Sequence, residues 1–199
     1  MHSKAIQVLS KDPSLKAIIS KIQLPELSSS KDVYRSLLRS IVSQQLSVKA
    51  AATIHQRFLD LFDHQDPLPH LLLEKSLEEL RAAGLSRQKA GYMQNIAAFA
   101  LEHQFDQINW DDYTDKELVT FLTQIKGVGT WTVQMMLMFT LQRSDVFPSA
   151  DLGIQQAMQK LYNIEGKGKV LISQMDKIAA NWSPYRTIAC RYLWQWKDL

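Results

Sequence analysis

The stretch that decides the fold lies at residues 117–141, which read ELVTFLTQIKGVGTWTVQMMLMFTL. Apolar side chains recur with helical spacing on both sides of the central KGVGT, so the stretch predicts two helices joined by a tight glycine turn. Glycines of this kind serve a bend that needs a positive φ angle, or they let another group approach the backbone closely. From these residues alone, a helix–helix corner and a binding turn both remain open.

A phosphate is one group that such a turn can hold. Gly127, Val128 and Gly129 lie at the start of the second helix. Amide N–H groups there have no partner within the helix, and the positive end of the helix dipole favours an anion. A DNA phosphate bound in this way would be held without any reading of the base sequence. The Walker loop and the dinucleotide fingerprint are excluded, because their spacing and preceding strand are missing.

The composition limits the class of protein. Of 199 residues, 46% are hydrophobic and 22% are charged, as in an ordinary soluble globular domain. No apolar run approaches the roughly 20 residues of a membrane span, and we expect no signal peptide. The single cysteine, Cys190, excludes an internal disulfide and an iron–sulfur cluster and fits a reducing cytoplasm, or a nucleus in a eukaryote. The net charge of +3 permits nucleic-acid binding without demonstrating it.

The remaining chain predicts an all-α fold of about ten helices. Residues 31–43 place apolar side chains on one face, and Ser29 with Asp32 resembles a capping box. Two short stretches, 64–70 and 164–169, are the most linker-like. Further start and stop signals are Ser47, Ser76 with Glu79, Gly84, Ser86 and Thr114 with Glu117.

An acidic residue opens a later helix in the stretch 145–158, DVFPSADLGIQQAM. The helix dipole favours an ionised carboxylate at Asp151, and such a group suits a reaction that develops positive charge. An ordinary N-cap aspartate is the alternative at this position.

Four motifs in this order resemble the helix-hairpin-helix DNA glycosylase superfamily, and most closely its 3-methyladenine DNA glycosylase II type. They extend over most of the chain. They are IVSQQLSVKAA (41–51), GLSRQKAGYMQNIA (84–97), the glycine hairpin with the following Asp151, and WSPYRTIACRYLW (182–194).

The resemblance implies two helical subdomains that flank a cleft. Residues 31–142 would form a helical barrel containing the helix-hairpin-helix, and residues 1–30 and 143–199 would form the subdomain with the catalytic loop. The damaged base would be flipped out of the duplex. Asp151 would then stabilise the oxocarbenium-like sugar as the base leaves.

The resemblance also implies the contacts with DNA. The turn at 44–47 would insert Gln45 or Leu46 into the gap left by the flipped nucleotide, unless it is a plain helix end. The expected DNA-binding residues are Lys126, Gly127, Val128, Gly129 and Thr130 of the hairpin and Gln44, Gln45, Leu46 and Ser47 of the turn. Lys49, Lys89 and Arg186 are further candidates for phosphate contacts, each alternatively a solvated charge. No cofactor is required, although carbonyls of Thr123, Ile125 and Val128 can hold a structural Na⁺ or K⁺.

One position separates the branches of the superfamily. Trp131 stands where bifunctional members carry a Schiff-base lysine, which predicts a glycosylase without lyase activity. An electron-rich ring can stack on a cationic alkylated purine, and Met135 and Tyr185 would complete the base pocket. Core packing is the alternative for Trp131. Where some members have an aromatic residue after the catalytic aspartate, this chain has Leu152 and Gly153.

The sequence therefore predicts a monofunctional glycosylase of base excision repair that releases 3-methyladenine and 7-methylguanine. It is expected to act as a monomer on double-stranded DNA containing damaged bases, and not at a membrane. Two alternatives remain open: a non-catalytic helix-hairpin-helix module that binds DNA, and a glycosylase for deaminated or oxidised bases.

Overall fold

The structure of the protein, a computed structural model, describes residues 2–27, 31–63, 66–197 and 199. Within these ranges the chain forms twelve α-helices and three short 3₁₀ helices, without a strand, which confirms the all-α class. The number exceeds the predicted ten because short helices at the N-terminus and around residues 69–82 add to the longer ones. No helix of the described residues is long and apolar enough to cross a membrane.

The α-helices are α1 His2–Leu9, α2 Pro13–Ile19, α3 Val33–Ser43, α4 Val48–Asp60, α5 Pro69–Glu74, α6 Leu77–Ala82, α7 Arg87–Glu102, α8 Asp115–Leu122, α9 Thr130–Phe139, α10 Leu152–Tyr162, α11 Gly168–Ala179 and α12 Arg186–Lys197. The 3₁₀ helices are Phe105–Gln107, Trp110–Asp112 and Ala180–Trp182.

The contacts divide the chain into two units. The central unit is Ser30–Met136, and the terminal unit combines Met1–Ser29 with Leu137–Leu199. The second boundary lies inside α9, so that helix contributes residues to both units. The roles that the resemblance implies for the two parts of the chain remain predictions.

Helix α7 is the centre of the central unit. It packs against α3, α5 and α6, and its buried face is built mostly from alanine with Met93 and Ile96. Small side chains let neighbouring helices approach closely, and α3 contributes larger groups such as Leu37 and Ile41, which are fully buried. This close packing fixes the position of α7 relative to the loops on either side of it.

The predicted helix boundaries are largely confirmed. Ser47 and Ser86 are N-caps, and the pairs Ser76–Glu79 and Thr114–Glu117 form complete capping boxes. Gly84 follows the end of α6 with a φ of +102°. Each of these signals acts within a few residues, which is why sequence alone could identify them.

The start of α3 differs from the prediction. Ser29 lies outside the described residues, and the N-cap is Asp32, whose side chain accepts the Arg35 N–H at 2.8 Å. His64 and Gln65 of the linker-like stretch also lie outside the described residues, and Pro69 begins α5 at the end of that stretch.

The terminal unit is held together by a half-buried acceptor near the N-terminus, Asp12. One oxygen of Asp12 accepts the amides of Ser14 and Leu15 and caps α2. Its other oxygen accepts the Tyr162 hydroxyl at 2.8 Å and the Trp182 indole N–H at 3.2 Å. A single carboxylate thus ties α2 to α10 and to the segment that precedes α12, and these helices pack together.

The two glycines of the central hairpin have different structural roles. Gly127 has a φ of +106°, and a Cβ atom there would lie 2.2 Å from Cγ of Tyr92. The helix-corner explanation therefore holds for Gly127. Gly129 lacks a positive φ, and a Cβ atom there would meet no described heavy atom within 4 Å. Within the fold, glycine at 129 is favoured only weakly, as the residue that caps α9 and accepts the Val133 N–H through its carbonyl.

We predict that Gly127→Ala destabilises the protein by about 2 kcal/mol or more, because it adds backbone strain and overlap with the Tyr92 ring. Urea unfolding followed by circular dichroism measures the change. Gly129→Ala is the matched control and should cost less than about 1 kcal/mol, mainly through a poorer N-cap for α9. Equal losses in the two variants would contradict this account of the hairpin.

Candidate functional site

Asp151 is held by two donors from different parts of the terminal unit. It is the N-cap of α10, and its Oδ1 atom accepts the Ile154 N–H at 2.8 Å. The same oxygen accepts the indole N–H of Trp194, on α12, at 2.9 Å. The ordinary N-cap explanation is therefore correct but incomplete, since the bond to Trp194 is not part of a helix cap. Together the two donors fix the orientation of the carboxylate.

Gly153 makes room for this arrangement. A Cβ atom at 153 would lie 3.1 Å from Oδ1 of Asp151 and 3.1 Å from two atoms of the Trp194 ring. The ring also contacts Phe139, with centroids 5.8 Å apart. Sequence reasoning assigned no role to Trp194 or Gly153. Two signals were available in the sequence. One is the tryptophan at the end of the 182–194 motif, and the other is the pair Leu152-Gly153 directly after Asp151.

The start of α12 is fixed by an ion pair between Arg186 and Asp145. Arg186 donates from Nε and Nη2 to both oxygens of Asp145, at 2.8 and 2.9 Å, and Ser183 donates to the same carboxylate at 2.9 Å. Burial raises the pKa of Asp145, but these hydrogen bonds outweigh it and leave that pKa below its ordinary value. Arg186 therefore anchors the loop before α10 and is not simply a solvated charge, while its contact with a phosphate stays a prediction.

Cys190 is fully buried in the same unit. Burial, and to a lesser degree the Asp151 carboxylate, raise the pKa of its thiol. The thiol is thus protonated at neutral pH, and it is a packing group rather than a nucleophile.

The exposed part of the hairpin is small. The Val128 side chain is buried, and its amide donates to the Ile125 carbonyl at 3.0 Å, which closes the turn. The Lys126 carbonyl accepts the side-chain N–H of Asn95 at 3.1 Å. Gly129 and Thr130 are exposed at the N-terminus of α9. Since nothing within the described chain fills the space over Gly129, an external group can approach its backbone.

Trp131 is not a core residue. Its side chain is 40% exposed, whereas Val133, Met136 and Met138 on the same helix are buried. The core-packing alternative for Trp131 is therefore wrong. Met135 lies one turn further along α9 and is half-buried.

The predicted pocket residues belong to different units. Trp131 and Met135 lie in the central unit, and Asp151 and Tyr185 lie in the terminal unit. Tyr185 is half-buried and directly precedes α12. Their shared role in one pocket remains a prediction.

The segment 43–46 forms a tight turn between α3 and α4. Leu46 donates its N–H to the Ser43 carbonyl at 3.2 Å, and Gln44 and Gln45 have φ angles of −53° and +58°. These values match a type II turn, which normally has glycine at its third position. Gln45 and Leu46 are both exposed, so either side chain can reach a partner. Ser47 caps α4.

The Lys89 side chain is bound within the protein. Its ammonium donates to the carbonyls of Val42 and Gln44, at 2.8 and 2.6 Å. The solvated-charge interpretation of Lys89 is therefore wrong, while a phosphate contact of Lys89 stays untested. Lys49 and Lys126 remain exposed candidates for such contacts.

These features define a helical protein with a glycine hairpin, part of which is exposed, and with an oriented carboxylate. The chain belongs to the HhH-GPD superfamily of base excision DNA repair proteins, whose family description matches residues 38–181. This confirms the predicted superfamily.

Similar proteins agree with this assignment. DNA-3-methyladenine glycosylase 1 of Schizosaccharomyces pombe is 35% identical over 172 residues, which cover 85% of this chain and 74% of the relative. The solved 3-methyladenine DNA glycosylase of S. pombe in complex with abasic DNA is 31% identical with a TM-score of 0.82, and the match covers 98% of this chain and 97% of that one. A DNA-3-methyladenine glycosidase from Bacillus halodurans is 35% identical with a TM-score of 0.76, and that match covers 96% and 87% of the two chains.

We predict that Asp151→Ala destabilises the protein by about 1 kcal/mol, because it removes the N-cap acceptor of α10. Asp151→Asn should change the free energy of unfolding by less than about half of that, since an asparagine oxygen accepts the same two bonds. Urea unfolding of both variants provides the measurement. If Asp151→Asn lost as much free energy of unfolding as Asp151→Ala, the result would show that the cap depends on the charge.

Proposed function

We propose that the protein is a DNA glycosylase of base excision repair that hydrolyses the N-glycosidic bond of alkylated purines and leaves an abasic site. The class of substrate is supported by the similar proteins reported above, all of which are named for 3-methyladenine. Double-stranded DNA containing damaged bases is the proposed partner, and a monomer is the proposed state.

The observation that carries the proposal is the double hydrogen bond to Asp151. A helix cap requires only the bond from Ile154, and a protein that merely binds DNA requires no oriented carboxylate. The second donor, Trp194, comes from a helix 43 residues away in sequence, and Gly153 leaves the space that this contact needs. Such preorganisation is expected of a group that acts on a developing charge.

The proposed chemistry uses this carboxylate directly. As the bond between the sugar C1′ and the base nitrogen breaks, its electron pair leaves with the base and positive charge develops on the sugar. The Asp151 carboxylate stabilises that charge electrostatically. A water molecule then adds to C1′ and loses a proton, and the carboxylate orients this water by accepting a hydrogen bond. The products are a free base and an abasic site.

The preference for alkylated purines rests on Trp131. Alkylation at a ring nitrogen makes the purine cationic, so it leaves more readily and is attracted to the face of an indole ring. An indole that is 40% exposed on the first turn of α9 is available for such stacking. Met135, one turn further on, and Tyr185 are the proposed additional walls of the pocket.

The absence of lyase activity is also part of the proposal. Strand cleavage through a Schiff base requires an amine at the position of Trp131, and an indole nitrogen cannot serve as that nucleophile. The predicted product is therefore an intact strand with an abasic site.

A monovalent cation at the hairpin remains a proposal. Neutral carbonyl oxygens suit Na⁺ or K⁺, and the proposed ligands are those of Thr123, Ile125 and Val128. The Ile125 oxygen already accepts the Val128 amide, but a carbonyl has a second lone pair for a cation. The ion would add positive charge near a bound phosphate and would take no part in the chemical step.

We predict that Asp151→Asn lowers the rate of purine release by at least about 100-fold, because the neutral amide does not stabilise the cationic sugar. The assay measures free methylated purines released from a methylated duplex by chromatography. Affinity for an abasic duplex should stay within about threefold of wild type, since the asparagine preserves the cap.

The same reactions separate the alternatives. Strands are analysed with and without alkali, and nicks that form without alkali would contradict the absence of lyase activity. A panel of duplexes with alkylated, deaminated and oxidised bases tests the substrate class. Undiminished release by Asp151→Asn would refute its catalytic role, and no release by the wild type from any substrate would favour the DNA-binding module.

We predict that Gly129→Val weakens binding to undamaged and abasic duplexes alike by about tenfold, since its side chain blocks a phosphate that approaches the hairpin amides. Fluorescence anisotropy measures both affinities. Gly91→Val is the matched control, because a Cβ atom at 91 also meets no described heavy atom within 4 Å. An unchanged affinity in folded Gly129→Val would disprove the phosphate contact.

A further inference from the structure

The turn at 43–46 is attached to α7 through one side chain. The Lys89 ammonium donates to the Val42 carbonyl at 2.8 Å and to the Gln44 carbonyl at 2.6 Å. Val42 lies in the last turn of α3, and Gln44 follows the end of that helix. The lysine thus binds the carbonyl end of one helix from the beginning of another.

The location of Lys89 is unfavourable on its own helix. It lies in the first turn of α7, and its backbone N–H donates to the N-cap Ser86 at 3.2 Å. The positive end of the α7 dipole disfavours a cation there, whereas the negative end of α3 favours one. Burial also lowers the pKa of the Lys89 ammonium. The two carbonyls offset both effects, which accounts for a half-buried lysine at this point.

The Gln44 carbonyl has a particular place in the turn. It belongs to the peptide between Gln44 and Gln45, and rotation of this peptide distinguishes a type II turn from a type I turn. In the type I form Gln45 would have a negative φ, free of the strain that a non-glycine residue has at +58°. A hydrogen bond to this oxygen therefore holds the less favourable form, and that form sets the direction of the Gln45 side chain.

The same side of α7 also contacts the hairpin. Tyr92 fills the space next to Gly127, and Asn95 donates to the Lys126 carbonyl at 3.1 Å. Lys89, Tyr92 and Asn95 follow one another at steps of three residues, which places them along one side of a helix. One helix surface thus contacts both segments of the central unit that are expected to bind DNA.

We propose that Lys89 is a positioning residue that locks the 44–45 peptide and so directs Gln45 and Leu46 toward the gap in damaged DNA. This inference rests on the proposed function, in which the turn enters the duplex. Lys89 itself is not expected to contact DNA, and its removal should affect recognition of a gap more than general attraction to the backbone.

Lys89→Met tests the proposal because it keeps the apolar stem of the side chain and removes the ammonium. Affinities for abasic and undamaged duplexes are measured at several salt concentrations. The abasic-over-undamaged preference should fall by about tenfold, and the slope of log K against log salt should not change. Lys89→Arg retains donors for the carbonyls and should restore most of the preference. Lys126→Met, the contrast variant, should weaken both complexes and reduce the slope by about one.

A spectroscopic signal separates positioning from a loss of fold. Fluorescence of 2-aminopurine beside the abasic site reports local unstacking, and it should fall toward the free-duplex signal in Lys89→Met even when the protein is saturating. A reduced salt slope would overturn the proposal in favour of a phosphate contact. A uniform loss of affinity with wild-type fluorescence, or an unchanged preference, would also overturn it.

These readouts are independent of base release. A wild-type protein that releases no methylated purine, yet shows the Lys89 effect on abasic DNA, would refute the glycosylase function and retain the positioning role. Normal release of methylated purine together with any of the overturning results above would retain the glycosylase function and refute the positioning role.

Discussion

Helix α7 holds both the glycine hairpin and the turn at 43–46, and the geometry of the central unit depends on this constraint. Tyr92 and Asn95 hold the hairpin, and Lys89 holds the turn at 43–46. Six residues of helix separate the first and last of these contacts, or about 9 Å along its axis. Because α7 is packed into the core, this spacing is fixed by a rigid element and not by the loops themselves.

The terminal unit also holds one group in a fixed orientation, the carboxylate of Asp151, but through a different set of contacts. The carboxylate of Asp151, the proposed catalytic group, lies at a helix start, where a local cap would leave the side chain only partly constrained. The indole of Trp194 adds a donor from α12, and the Arg186–Asp145 pair fixes the beginning of that helix. The chain between these elements is further held through Asp12, which caps α2 with one oxygen and accepts hydrogen bonds from Tyr162 and Trp182 with the other. Orientation of one oxygen atom thus depends on contacts throughout the unit.

The fold class and most helix boundaries could be predicted because their causes are local. A capping box such as Ser76–Glu79 is complete within four residues, and Gly84 ends a helix by its own conformation. The Trp194 donor of Asp151 and the partners of Lys89 and Arg186 could not be predicted, since each lies more than 40 residues away in sequence. A basic side chain looks the same in sequence whether its charge meets a phosphate, a carboxylate or a carbonyl, so the sequence does not reveal that Lys89 binds two carbonyls and Arg186 a carboxylate.

The position of Asp151 as a helix cap has a consequence for the history of such proteins. Many catalytic groups can be lost without harm to the fold, but here most replacements also weaken α10. Asparagine is a good cap, and its codons differ from those of aspartate by one nucleotide. With the proposed chemistry, a single base change to asparagine gives a protein that binds DNA but does not release bases. Most other substitutions at 151 that remove activity also lower stability. Selection on folding alone would then preserve an acceptor oxygen at this position long after activity had ceased to matter.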